Sequence, residues 1–200
     1  LIQQYQVPVV WLNVDREFDT VRPDDEHAGE LLTRHLIENG HRHIVYRSIA
    51  SMHYSDAARQ KGYEKAMLSA GLAPHVVTAY VEPGSKGWSE QLSAWKNQAD
   101  APTAIVEYND EVAFDTLIQL LQGGWQIPRE MSLVTFSTHF HMFDKLPLTT
   151  IVLPQQEIGQ KAAQLIMNKI ENPVSPLKAI SLQGRLEIGK TVAFQSNSRR

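Results

Sequence analysis

Short β-branched runs alternate with amphipathic, helix-length stretches along the whole chain, and glycine closes several of the helical stretches. Val7 to Val14 is continuously apolar, the pattern of a strand covered on both faces. Asp24 and Asp25 then supply an N-cap and an acidic first turn. Ala28, Leu31, Leu32, His35 and Leu36 follow on one helical face as far as Gly40. Ile44-Val45-Tyr46 predicts the next strand. The unit then repeats. Helices are expected over Ser55 to Ala70 (Tyr63, Ala66, Met67 and Ala70 inward, Gly71 as stop), over Gly87 to Gln98 (Trp88, Leu92 and Trp95) and over Asp110 to Gln122 (Ala113, Leu117, Leu120 and Leu121). Strands are expected over Val76 to Val81, Ala104 to Tyr108 and Ser132 to Phe136, with Leu148 to Leu153 extended. A last helix, Glu157 to Glu171, turns Ile158, Ala162, Leu165, Ile166 and Ile170 inward, and Ile180, Leu182, Leu186 and Ile188 alternate as a strand does. Such a chain builds βαβ units and parallel sheets, an α/β fold. At 42% hydrophobic and 20% charged residues it can fill a core, which excludes disorder, collagen-like structure and a coiled coil.

Several function classes fall away on composition and motif. No apolar run approaches the ~20 residues of a membrane span. A net charge of −3 offers DNA no cationic field of its own. There is no cysteine, hence no disulfide, thiolate metal site or cysteine nucleophile. Neither GxxxxGK[ST] nor a GxGxxG after a strand occurs, and there is no GxSxG or HExxH. The pairs His41/His43 and His139/His141 have no carboxylate at a familiar ligand spacing and read as exposed loop histidines, so neither a metal nor a cofactor is expected.

In an open parallel sheet, ligands bind beyond the carboxyl ends of the strands. Two charged residues are expected there: Arg59, in the first turns of the helix after Ile44-Val45-Tyr46, and Asp110, directly after the strand that ends at Tyr108. A guanidinium only donates and a carboxylate only accepts, so the two together suit a polyol, whose hydroxyls do both. Each also has a plain structural use: Asp at a helix start is a common cap, and Arg in a first turn is often ion-paired.

The segments Asn39-Gly40-His41-Arg42-His43-Ile44, Ala58-Arg59-Gln60-Lys61-Gly62-Tyr63 and Val106-Glu107-Tyr108-Asn109-Asp110-Glu111-Val112-Ala113 stand in this order. Ile127-Pro128-Arg129-Glu130-Met131-Ser132 and Leu146-Pro147-Leu148-Thr149-Thr150-Ile151, the latter followed by Pro154 and Gly159, continue the series. Together they resemble the lactose-repressor/galactose-repressor family of bacterial regulators. The resemblance implies a two-lobed, periplasmic-binding-protein-like α/β fold with a small-molecule effector in the cleft. It implies a homodimer, and operator DNA bound by an N-terminal headpiece that has no counterpart here. The chain begins at Leu1 and reads as lacking the first part of the N-terminal lobe. On that basis residues 1–23 are a remnant of the N-terminal lobe, 24–136 the C-terminal lobe, 137–190 the segments crossing between them and 191–200 a tail.

Carried over by position, Arg59 and Asp110 match the family's effector-binding Arg and Asp. His53 and Ser55 fall in the preceding pocket loop, and Asn109 in a supporting position. Ser137 stands where the family commonly has Asp. The expected stacking aromatic falls on Val81, with Tyr80 beside it and Trp88 downstream. Trp88 has two readings, ligand stack or core, and Tyr108, Phe136 and His139 are further candidate linings. The regions Leu117 to Gln122 and Tyr80 to Trp88 are expected near a dimer face. The resulting expectation is a cytoplasmic, non-enzymatic, allosteric sensor of a sugar-like effector with no membrane partner. The alternative is a sugar-binding protein of a transport system, which would share the fold and the pocket.

Overall fold

The computed structural model describes residues 4–5, 7–49, 53–78, 87–138 and 146–196. Its strands are β1 (Trp11–Leu12), β2 (Thr20–Pro23), β3 (Ile44–Ser48), β4 (His75–Thr78), β5 (Ala104–Glu107), β6 (Ser132–Ser137), β7 (Thr149–Val152), β8 (Ile180–Leu182) and β9 (Arg185–Glu187). Its helices are α1 (Asp25–Glu38), α2 (Tyr54–Ser69), α3 (Gly87–Lys96), α4 (Asp110–Gln122) and α5 (Gln155–Glu171). The chain forms two units: Leu1–Asp24 with Leu153–Arg185, and Asp25–Val152 with Leu186–Arg200.

In the smaller unit, β1, β2 and β8 form a parallel sheet in that order. Val21 packs there with Ile158 and Leu165 of α5, flanked by Val10, Ala162 and Ile180. The strand expected over Val7 to Val14 is only Trp11–Leu12. Pro8 has no N–H to donate, and Asn13 takes a left-handed backbone (φ 55°) that ends the run. Strand β2, with Asp19 before it and a proline at its end, carried no hydrophobic signal. On α5 the inward residue is Lys169, not Ile170, which is 56% exposed. Lys169 Nζ lies 3.1 Å from Asp19 Oδ2 and donates to the Ser175 carbonyl at 2.9 Å, so its buried charge has partners.

The larger unit holds a six-stranded sheet, order β4-β3-β5-β6-β7-β9, with β4 through β7 parallel. Register divides its faces. Val45, Ile105 and Leu133 lie side by side and pack with Trp88, Leu92, Trp95, Leu117 and Leu120 of α3 and α4. The alternate residues look the other way: the Tyr46 ring meets Tyr63 of α2, and its hydroxyl donates to Asp56 Oδ1 at 3.0 Å. On α4 Leu121 is 54% exposed rather than inward.

Helices α1 and α2 cross backbone to backbone. A Cβ on Gly29 would strike the Arg59 carbonyl, and one on Gly62 the Glu26 carbonyl. Around this contact Lys61–Glu26 and Lys65–Glu30 pair at 2.7 Å each. The crossing sets where α2 presents its side chains.

The segment expected as a tail from residue 191 is stitched into this unit instead. Thr191 is fully buried; its hydroxyl donates to the Leu133 carbonyl at 2.6 Å and accepts from Thr149 N at 3.0 Å. Gln195 N donates to the Asn39 carbonyl at 2.8 Å. Nor is His41, in the loop between α1 and β3, exposed. It is fully buried, its Nε2 lies 3.0 Å from the Ala193 carbonyl and its Nδ1 2.8 Å from Thr103 Oγ1. A carbonyl only accepts, so Nε2 carries the proton and Nδ1 accepts from Thr103. Burial holds the imidazole neutral and pulls its pKa down to about 4.

Candidate functional site

The site grows from the carboxyl ends of β3, β5 and β6, neighbours in the larger unit's sheet. After β3 the chain enters α2, whose N-cap is His53. Its Nδ1 accepts from Ser55 N at 3.3 Å and lies 2.7 Å from Ser55 Oγ. Because that nitrogen accepts, the Ser55 hydroxyl donates to it, and the Tyr108 hydroxyl, 2.9 Å away, donates to Ser55 in turn. Ser48 and Tyr46 fix the same helix end by donating to the Asp56 carboxylate. Burial and the nearby Asp56 charge push the Tyr46 pKa well up, so it remains a donor.

One turn on, Arg59 is 5% exposed. Its Nε donates to Asp25 Oδ1 at 2.8 Å and its Nη1 to the Tyr108 carbonyl at 2.6 Å. The guanidinium carbon sits 5.0 Å from the Tyr108 ring centre and 4.6 Å from that of Phe136. Cation–π contact and ion pairing thus hold the fork in one plane. Its Nη2 has no hydrogen-bond partner among the described residues, and Asp25 Oδ2 is buried without one.

Asp110 opens α4, but Asn109 is the cap, its Oδ1 accepting from Val112 N at 2.9 Å. Asp110 Oδ1 accepts from Glu111 N at 2.9 Å, and its Oδ2 accepts from the Ser137 hydroxyl at 2.7 Å. Each oxygen keeps further acceptor capacity. Hydrogen bonds or ring contacts therefore link Arg59, Tyr108, Phe136, His53 and Ser55 in one set, and Asp110 with Ser137 in another. Asn109 serves the second set through the helix cap.

Trp88 belongs to neither. It lies in the core between α3 and α4, donates from Nε1 to Thr116 Oγ1 at 2.9 Å and meets Trp95 edge-on. Its ligand-stacking reading falls, because an apolar ring with a buried partner for its N–H is satisfied where it is. Tyr80, Val81, His139 and His141 lie outside the described residues. Sequence reasoning missed Asp25, which looked like helix-start chemistry beside Asp24.

It also missed a second polar cluster. Arg47 and Glu107 are in-register neighbours on β3 and β5, on the face covered by α3 and α4. They are 1% and 0% exposed, with Nη1 and Oε1 3.7 Å apart. Arg47 donates to Thr116 Oγ1 at 2.6 Å and stacks over Trp88 at 4.5 Å. Neither Glu107 oxygen has a hydrogen-bond partner among the described residues. Burial, opposed by the Arg47 charge, pushes the Glu107 pKa up to about 7.

The sequence profile of the periplasmic binding protein-like domain matches residues 33–192. The chain belongs to that family. Its relatives place it among the effector-binding cores of lactose-repressor/galactose-repressor regulators. It is 31% identical over 180 residues to an arabinose metabolism transcriptional repressor of Halalkalibacterium halodurans, covering 85% of this chain and 47% of that protein. It is 30% identical over 185 residues to the maltose regulon regulatory protein MalI of Escherichia coli, covering 87% and 54%. A regulator structure from Mycobacterium smegmatis matches with a TM-score of 0.77 at 28% identity, covering 94% of this chain and 71% of that one. A ribose-bound regulator from Enterococcus faecium matches with a TM-score of 0.82 at 24% identity over 98% and 74%, a likeness of fold. The periplasmic-binding-protein-like chain spans about half the length of these curated relatives. No helix among its described residues is long and apolar enough to cross a membrane.

Proposed function

We propose that this domain senses a neutral, sugar-like effector for a transcriptional repressor, holding it against Arg59 and Asp110. The observation that carries the reading is the Arg59 fork. Two of its nitrogens are committed to Asp25 and the Tyr108 carbonyl, and its Nη2 has no partner among the described residues. At the end of β6, next to β5 in the sheet, the Ser137 hydroxyl donates to the Asp110 carboxylate, which retains acceptor sites. A donor and an acceptor at neighbouring strand ends are what a hydroxyl-rich guest needs. Asp25 already balances the Arg59 charge, and Asp110 adds a negative one, which disfavours a phosphorylated or carboxylated guest. The names of the arabinose and maltose regulators and the ribose in the Enterococcus structure support the same chemical class.

The domain is a sensor rather than a catalyst, in a cytoplasmic homodimer whose operator contacts lie in a separate DNA-binding part. Half-exposed Phe114, Ile118 and Leu121 form a stripe along α4 that suits the dimer contact. Guest binding favours one of two conformations, and a differential affinity of about 1–3 kcal/mol changes operator binding about 5–150-fold. The test is calorimetry with a panel of aldoses and their phosphates on the wild type, D110N and R59K. Neutral sugars bind the wild type and lose at least tenfold in either variant. Undiminished binding in both variants, or preference for the phosphates, refutes the site. An operator-binding assay on protein carrying its DNA-binding part, with and without the sugar, tests the coupling.

A further inference from the structure

Away from Arg59, at the amino end of the larger unit's sheet, two imidazoles face each other. His43 immediately precedes β3, and His75 opens β4 in register with Val45. His43 Nε2 and His75 Nδ1 are 3.3 Å apart, and the rings stack with centres separated by 5.6 Å. His43 Nδ1 lies 2.6 Å from the Asp100 carbonyl oxygen. A carbonyl cannot donate, so Nδ1 carries the proton and Nε2 keeps its lone pair. The position of His75 is fixed as well: its backbone N donates to the Tyr63 hydroxyl at 2.8 Å, and its ring meets the Trp95 ring near edge-on.

Three of these features are those of a metal ligand pair. Two Zn–N bonds of about 2.0–2.1 Å at a tetrahedral angle put their nitrogens about 3.3 Å apart. A ligating histidine characteristically donates its other ring N–H to a carbonyl or carboxylate, as His43 does to Asp100. Imidazole nitrogens suit zinc, copper and nickel. His43 itself is open to solvent, lining a cleft of about 350 Å³ with Arg42, Asp100 and Gln195.

We propose that His43 Nε2 and His75 Nδ1 form a two-histidine site for a divalent transition-metal ion such as Zn²⁺ or Cu²⁺. Among the described residues no group of three or more His, Asp or Glu gathers for a metal, so water fills the remaining positions. Without metal, the His75 Nδ1–H donates to His43 Nε2. With metal, Nδ1 becomes a ligand and the proton of neutral His75 resides on its Nε2.

The test uses untagged protein, with ZnCl₂ followed by calorimetry and CuCl₂ by tryptophan fluorescence. One Zn²⁺ binds per chain, and Cu²⁺ quenches emission because Trp95 adjoins His75. H43L and H75F each lower the affinity at least tenfold and remove the saturable quench, whereas H27A leaves both unchanged. H75F keeps a ring against Trp95, so it decides the matter if H43L does not fold. Zinc also raises the Tm of the wild type and not that of H75F. Absence of saturable binding to the folded wild type overturns the proposal, as does undiminished binding in H75F with a native far-UV spectrum.

Discussion

Two buried groups in the larger unit bend the pH dependence of stability in opposite directions, and removing either should unmask the other. His41 titrates at about 4 in place of its ordinary 6.5. Between those values the unfolded chain takes up a proton that the folded one refuses, so stability falls as pH drops from 6.5 to 4. Glu107 titrates at about 7 in place of 4.5. Between those values the folded chain holds a proton that the unfolded one has released, so stability falls as pH rises from 4.5 to 7. At about 1.4 kcal/mol per pKa unit, each displacement is worth about 3 kcal/mol. In the wild type the two slopes cancel between pH 4.5 and 6.5. E107Q should therefore lose about 3 kcal/mol between pH 6.5 and 4, and H41Q should gain about 3 kcal/mol between pH 7 and 4.5. Urea unfolding followed by tryptophan emission across this range measures both. His35 and His75, whose pKa values burial also lowers, act in the direction of His41 in all three proteins and drop out of the comparison. If E107Q keeps the wild-type slope, Glu107 is not a proton holder and its environment has been misread.

The Arg47–Glu107 pair gives a second test at pH 8. R47M leaves a buried carboxylate without its cation and should cost about 3–5 kcal/mol, whereas R47M/E107L should recover that loss or exceed wild-type stability in the same urea assay. The α1–α2 crossing gives a third. G29A and G62A each drive a methyl group into a facing backbone carbonyl and should cost about 1–3 kcal/mol, read as a lowered Tm. In α5, G159A meets nothing within 4 Å and should stabilise by about 0.5–1 kcal/mol. If G29A and G159A behave alike, close approach is not what requires glycine at the crossing.

The parts of this molecule legible in its sequence are those where one local rule decides the outcome. Helix α4 begins at Asp110 and ends at Gln122, as its apolar spacing and glycine stop require, and β3, β5 and β6 carry enough buried β-branched and aromatic side chains to be read directly. What stayed hidden depends on partners far along the chain. Lys169 can turn inward only because Asp19 and the Ser175 carbonyl receive its charge. Thr191 reads as part of a tail until its hydroxyl is seen to donate to the Leu133 carbonyl and to accept from Thr149 N. Arg47 lies just past the strand predicted over Ile44-Val45-Tyr46 and Glu107 is a charged residue inside the one predicted over Ala104 to Tyr108, and neither carries a local signal of burial. Their register turns the two into one compensated pair. The same logic applies to Arg59. Its place in a first turn fitted an ion-paired residue as well as a ligand-binding one, and the structure shows the ion pair, with Asp25. Asp25 and the Tyr108 carbonyl occupy two nitrogens of the fork and hold its plane; for the proposed effector site, such pre-organisation would leave little binding energy to be spent on ordering the side chain.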